Sequence, residues 1–347
     1  VTDHILFEGQ AGATWAGLAF TGSCSTGTDD RHEFSYVDFA NTSKAAIAAG
    51  SRHGDTTGTN PSSNSNVGNF TMNHITFKNV ASAFEHGSGQ GTVLTMDDFS
   101  VEGSTTANTA CFNFAEDTVA TLTEGTMKDC NTVGNSWGGA IVIADGASTG
   151  STTGSLFLEN TTITNSYVNL IDVDLSMVTI SNVTATTASG QTGSAIASSA
   201  GAGSEVVLFN FDADDYASAS IDAIGLIHID DVDLGTANFA MTPGGSSSTA
   251  AGPSGANAVI DTLTSGDLQM NRMHPSVFTD ITAGDVGMYG NAITTDVLNL
   301  NNFDIGAWQL TGCGWTVGMN AINTDLVYSS CSSSAAPNMV TVSDATI

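Results

Sequence analysis

The sequence predicts an all-β chain, a β-solenoid made of stacked β-arches. Three observations predict it. A phrase recurs from end to end: apolar, any, apolar, two residues, apolar, any, apolar. Each half alternates with period two, which puts its apolar side chains on one face of a short strand. The second residue of the central break is mostly Asn, Asp or Gly, which tolerate a left-handed backbone or close a turn with their own side chain. A strand, a tight corner and a second strand make an arch with apolar residues inward on both sides.

In chain order, clear copies occupy 70–77, 94–101, 156–163, 178–185, 206–213, 227–234 and 298–305, and looser copies begin at Phe34, Ala120, Leu268 and Val286. The expected corners include Asp38, His74, Asp98, Glu124, Asn160, Asn182, Asn210, Asp231, Arg272, Gly290 and Asn302. An all-β sandwich with ordinary hairpins is the alternative. Two-residue hairpin loops favour Asn-Gly or Asp-Gly, and no break carries either. Unequal spacing between phrases instead fits loops of different length leaving one side of each rung. A repeat protein buries its core between neighbouring repeats, and its usual work is building or binding along a length.

One architecture is expected over residues 1–347. Residues 1–33 form an N-terminal cap or contact segment. Residues 34–330 hold the arches, with polar inserts at 51–68, 146–154 and 188–203 and a surface loop at 242–257. Residues 331–347 form a tail with a last strand near 340–342. The same phrase stands on both sides of 242–257, so that stretch reads as a loop and not as a domain linker.

The 35 acidic and six basic residues give a formal net charge of −29. Such a chain repels nucleic acid and anionic membrane surfaces, which attract through Lys and Arg. Its apolar residues are periodic and make up 41% of the chain, so it is no disordered acidic tail. No window approaches the ~20 apolar residues that span a bilayer, so membrane insertion is not expected. No basic region followed by an apolar run opens the chain, which starts with Val. The expectation is a secreted, cell-surface protein whose export signal has been removed.

The cysteines are Cys24, Cys111, Cys130, Cys313 and Cys331, with no CxxC pair, so a zinc or redox site is not indicated. Cys111 and Cys130 are 19 apart and Cys313 and Cys331 are 18 apart. Each separation is close to one rung, which predicts two disulfides between adjacent rungs and an oxidising compartment. Cys24 is left over, either for a bond to another subunit or as a buried free thiol.

Sugar-polymer hydrolysis or elimination needs clustered carboxylates with a basic partner. The six cationic side chains stand apart from the acidic runs. No His-rich metal motif and no nucleophile elbow occurs, so no catalytic residue is expected. Acidic pairs at Asp97 and Asp98, Asp212 and Asp214, and Asp230 and Asp231 are explained by corners and outward alternation; they are also the candidate ligands for Ca²⁺, a hard cation that takes oxygen donors. The calcium nonapeptide of other solenoids is absent. His228, between Ile227 and Ile229, falls on an outward position. Four glycosylation sequons begin at Asn41, Asn69, Asn160 and Asn182. The last two already have a structural reason to be asparagine, which leaves Asn41 and Asn69 as candidate acceptors.

At the level of fold the phrase resembles right-handed parallel β-helix proteins. Gly138-Gly139-Ala140-Ile141 and Phe157-Leu158-Glu159-Asn160 are similar to the GGAI and FxxN tokens of chlamydial polymorphic membrane proteins. The succession of arches with stray cysteines more broadly resembles the structural subunits of archaeal cell sheaths and surface layers, where stacked arches form amyloid-like hoops. That resemblance implies extracellular self-assembly and no chemistry. Solenoid ends support the same expectation, because they expose backbone groups that must be covered or paired. The leading expectation is therefore a self-assembling sheath, surface-layer or filament protein whose partner is itself. An adhesin or glycan-binding solenoid, with cell-surface glycans as partner, is the first alternative, and a polysaccharide lyase or hydrolase the second. A glycan platform is disfavoured because Trp15, Trp137, Trp308 and Trp315 share no phrase position.

Overall fold

The computed structural model describes residues 4–10, 13–20, 31–49, 68–86, 92–103, 110–115, 118–130, 139–144, 154–166, 177–187, 193–199, 205–222, 226–241, 257–271, 276–290, 297–331 and 337–347. Within these the protein is all-β, with no helix, and its named strands stack in parallel as a β-solenoid. The chain divides into two compact units, Val1–Gly193 and Ser194–Ile347.

The first unit holds β1 (Ile5–Glu8), β2 (Leu18–Phe20), β3 (Arg31–Ala49), β4 (Asn69–His86), β5 (Val93–Gly103), β6 (Phe112–Ala115), β7 (Val119–Lys128), β8 (Ile141–Ala144), β9 (Ser155–Thr164) and β10 (Met177–Thr186). A rung is read most easily in β4. Residues 69–73 form a first face, the chain turns at His74 (φ 55°), 75–78 form a second face, and it turns again at Asn79 (φ 52°) before a third. Inward residues on the first two faces are Phe70, Met72, Ile75 and Phe77, all buried. The alternation breaks at His74 because a left-handed residue redirects the backbone, so both strands keep their apolar side chains inside.

Register carries this from rung to rung. Phe70 of β4 pairs with Leu94 of β5, which pairs with Ala120 of β7, which pairs with Leu156 of β9, which pairs with Val178 of β10. Aromatic residues stack where columns repeat them: Phe7, Phe39 and Phe77 lie with centroids 5.3 and 5.2 Å apart and planes 11° from parallel. The third face has its own column, running from β2 through the ends of β3 and β4 to β6 and β8.

The second unit holds β11 (Ser194–Ser199), β12 (Glu205–Asp214), β13 (Ser218–Asp222), β14 (Leu226–Asp233), β15 (Asn238–Met241), β16 (Asn257–Ile260), β17 (Leu263–Thr264), β18 (Leu268–Asn271), β19 (Ser276–Ala283), β20 (Val286–Tyr289), β21 (Val297–Thr311), β22 (Thr316–Ser330) and β23 (Met339–Ser343). First- and second-face strands stack as β12, β14, then β16 with β17, β19, β21, β22, and finally β23 on β22. Third-face strands run β11, β13, β15, β18, β20, and on to β21.

The structure moves some expected corners. In the phrase at Phe34 the left-handed residue is Tyr36 (φ 57°), two before Asp38, because Val37 and Phe39 are the inward pair that continues Ile75 and Phe77. The phrases at Leu268 and Val286 begin third-face strands and are not arches of the main column. Val286 pairs with both Leu268 and Trp308 on that face. Three arches of the second unit carry no full phrase, among them the one made by β16 and β17, where buried Ser265 fills the last inward position. Another turns at Asp280 in β19, where Ser276 fills the first inward position. The third turns at Ala321 in β22, where Thr324 fills the last.

Two disulfides join adjacent rungs. Cys111, just before β6, bonds Cys130, just after β7, with Cα atoms 5.3 Å apart. Cys313 after β21 bonds Cys331 after β22, with Cα atoms 4.9 Å apart. Both are consistent with an oxidising environment. Cys24 lies outside the described residues.

Candidate functional site

The corners carry most of the ordered polar chemistry. In the first unit, Tyr36, His74, Asp98, Glu124, Asn160 and Asn182 share one register column, and every one has φ between 49° and 57°. In the second unit the equivalent corner is held by Asn210, Asp231, Asp280, Asn302, Ala321 and Asp344, with φ between 48° and 58°. Asn and Asp meet the cost of this conformation best. Stacking then adds a second reason for them, since each side chain can bond its neighbour one rung away.

Those bonds are present. Asn160 Nδ2 donates to Glu124 Oε1 at 2.7 Å, and Asn182 Nδ2 donates to Asn160 Oδ1 at 3.0 Å. Asn302 donates to Asp280, and His74 shares a hydrogen bond with Asp98. The His74 ring also stacks on Tyr36, with centroids 4.5 Å apart. A second corner column, at Asn41, Asn79, Asp129 and Asn165, repeats the device: Asn79 donates to Asn41 at 2.8 Å and Asn165 donates to Asp129. This second column had a sequence signal, an Asn or Asp five residues after the first corner, that the eight-residue phrase does not contain.

The acidic pairs are spread along the faces. Asp98 bonds His74, while Asp97 accepts a hydrogen bond from Thr123 at 2.7 Å. Asp212 pairs in register with Asp233, and Asp230 with Phe209. Asp231 is a corner; Asp214 ends β12. Among the described residues no three His, Cys, Asp or Glu side chains converge to hold a metal ion. Asn69 is half-buried at the start of β4. Asn41 sits in the second corner column, donating to Glu8 Oε1 at 2.9 Å, so a glycan on its amide would have to displace that bond. His228 is half-exposed, with Asp261 3.6 Å away.

Three tryptophans are turned into the protein. Trp308 and Trp315 are buried, and the Trp315 indole donates to the Gly290 carbonyl at 2.8 Å. Trp15 is half-buried and donates to the Ala40 carbonyl at 2.8 Å. Trp137 lies outside the described residues. His86 is a buried polar group with both ring nitrogens engaged. Thr118 Oγ1 lies 2.6 Å from Nδ1 and Thr92 Oγ1 2.9 Å from Nε2. Desolvation lowers its pKa to about 4.

Some inward-column residues of the first and last described rungs are exposed. Ile5 belongs to the inward column of Val37 and Ile75, yet it is 61% exposed. At the last rung, Val342 continues the inward column of Met319 and is 42% exposed. Ile347, one residue past the Thr346–Asn323 bridge, is 76% exposed. Leu326 and Tyr328 are exposed beside them on the third face. Among the described residues no helix is long and apolar enough to cross a membrane. Comparison with protein-family models, with curated proteins and with solved structures finds no match for this chain.

Proposed function

We propose that this chain is an extracellular structural protein that assembles with copies of itself, by stacking solenoid ends, into a sheath, surface layer or filament. The observation that carries the reading is the parallel, in-register stack of rungs that share corners and faces, a geometry that a further copy of the same chain can continue. Strands that end such a stack offer backbone groups to a further strand. The disulfides suit an oxidising exterior. The side chains that would make a flat aromatic glycan platform, Trp308 and Trp315, are instead core residues. The reading assigns no catalytic residue and no cofactor.

The test is electron microscopy of purified protein, with and without reductant. Filaments, hoops or sheets support the reading. Monodisperse single particles over a wide range of concentration and salt would overturn it.

A further inference from the structure

We propose that the third face of the second unit carries a binding platform for a neutral glycan, centred on the ring of Tyr289 and flanked by Gln269 and Gln309. The platform is independent of how copies of the chain assemble.

The outward residues of this face form register columns of their own. Gln269 of β18 pairs with Gly287 of β20, which pairs with Gln309 of β21. Two residues along each strand, Asn271 pairs with Tyr289, and Tyr289 pairs with Thr311. A glycine inside a strand often marks a place where another group comes close, and at 287 that group is the Tyr289 ring. A Cβ at 287 would stand 2.7 Å from Tyr289 Cε2, 2.7 Å from Oη and 2.9 Å from Cζ. The ring is therefore folded back along its own strand and fills the row between the two glutamines. Tyr289 is half-buried, whereas Gln269 and Gln309 are exposed. Trp308, next to Gln309, is buried, so the ring offered outward between the glutamines is that of Tyr289.

The surroundings hold this arrangement in place. Gln309 Nε2 donates to Thr311 Oγ1 at 3.2 Å. Just past Tyr289, the Gly290 N–H donates to the Thr311 carbonyl at 2.9 Å, and the Gly290 carbonyl accepts from the Trp315 indole at 2.8 Å. The Cys313–Cys331 disulfide ties the two following rungs together. A surface that is rigid before binding loses less freedom when it is filled.

The chemistry of the row fits a sugar. The face of an aromatic ring carries negative charge density, and the C–H side of a pyranose presents the matching positive edge. The flanking amides, two strand spacings or roughly 9.5 Å apart, each bring a donor and an acceptor to sugar hydroxyls. Charge then selects the class of glycan. The third-face strands β15, β18 and β20, and the third-face stretches 307–311 and 326–330, contain no charged residue. Asp267 and Asp285 stand at the turns that enter β18 and β20, each capping a backbone amide. With no cation on the face and a net charge of −29 on the chain, a polyuronate is repelled and a neutral glycan is not.

Saturation-transfer difference NMR on the full chain tests this, because it reads binding to single particles and to assemblies alike. The probes are neutral tetrasaccharides of glucose, mannose, galactose and N-acetylglucosamine, with tetragalacturonate as the anionic control. At least one neutral probe should bind, with the strongest transfer to the C–H protons on one side of a sugar ring. Tyr289→Ala should weaken that binding about tenfold, the scale of losing a central aromatic contact. Gly287→Ala keeps the tyrosine and both glutamines but displaces the ring, and should weaken binding as well. Tyr289→Phe keeps the ring and should still bind. Circular dichroism would confirm the fold of each variant. No transfer to any neutral probe at millimolar concentration overturns the proposal. So does binding that survives Tyr289→Ala or Gly287→Ala unchanged, or binding that favours the uronate. Each of these results leaves the assembly reading to electron microscopy.

Discussion

The ring of Phe99 fills the space beside Gly125. A Cβ built at 125 would stand 2.1 Å from Phe99 Cζ, and the two residues are register partners in β5 and β7. Phe77 and Met127 keep side chains on the neighbouring column, so the missing side chain at 125 is matched to one large ring and not to a thin rung. Gly125→Ala should therefore destabilise the first unit by about 1–3 kcal/mol, the usual cost of overpacking. Adding Phe99→Leu should recover part of it. Urea unfolding of the two single variants and the double variant checks this; equal losses in Gly125→Ala with and without Phe99→Leu would show that the clash is not the cause.

His86 makes the first unit sensitive to acid in a definite window. Its folded pKa, about 4, lies below the ordinary imidazole value of 6.5. The stabilisation is complete above pH 6.5, where the ring is neutral in both states. It is lost as pH falls from 6.5 toward 4, where the unfolded chain binds a proton that the folded one refuses. Its ceiling is about 3 kcal/mol. His86→Gln keeps hydrogen-bonding capacity for Thr92 and Thr118 but does not titrate. The variant should lose less stability than wild type between pH 7 and pH 4.5, as read from urea midpoints. Parallel losses would assign the acid sensitivity to the carboxylates instead.

The two disulfides close loops of similar length but differ in access. Cys111 and Cys130 are buried, whereas Cys331 is exposed although its partner Cys313 is buried. Thiol exchange needs an approach to a sulfur. Mild reductant under native conditions should therefore open Cys313–Cys331 first, as followed by alkylation and mass spectrometry. Replacing Cys111 and Cys130 together by Ser should cost about 2–4 kcal/mol in unfolding, the typical worth of such a cross-link. A variant with unchanged stability would mean that register alone holds those rungs.

Much of the fold was legible because one physical requirement, an apolar core on both sides of a bend, writes itself into an eight-residue phrase. The corners at Asp98, Asn160, Asn182, Asn210, Asp231 and Asn302 all show it. The requirement fails to write itself where the core accepts a small polar residue. Ser276 and Thr324 are inward and buried, and their arches at Asp280 and Ala321 carry no full phrase. Third-face strands such as 268–271 have the same alternation as the others, so period alone could not separate the faces.

Glycines recur at one turn of the second unit, each beside a side-chain oxygen of the preceding rung. Asp267 Oδ1 accepts the backbone N–H of Asp285 at 3.0 Å, and Asp285 Oδ1 accepts that of Ala307 at 3.0 Å. Asn238 Oδ1 begins the series by accepting from Asp267 N at 3.0 Å. The backbones of Gly266, Gly284 and Gly306 bond each other directly alongside, at 2.8 and 2.7 Å. A Cβ at Gly284 would sit 2.6 Å from Asp267 Oδ1, and one at Gly306 would sit 2.8 Å from Asp285 Oδ1. Each cap thus occupies the place a side chain would take, and the glycine is required by the carboxylate above it. What the ladder needs from Asp267 is an oxygen acceptor, not its charge. Asp267→Asn should therefore keep stability within about 0.5 kcal/mol, whereas Asp267→Ala leaves an amide without its acceptor and should cost about 1 kcal/mol. Gly284→Ala should cost more than Asp267→Ala, and the double variant less than the sum of the two, since removing the cap empties the space the methyl needs. Additive losses in urea unfolding would show that the glycine answers to something other than the carboxylate.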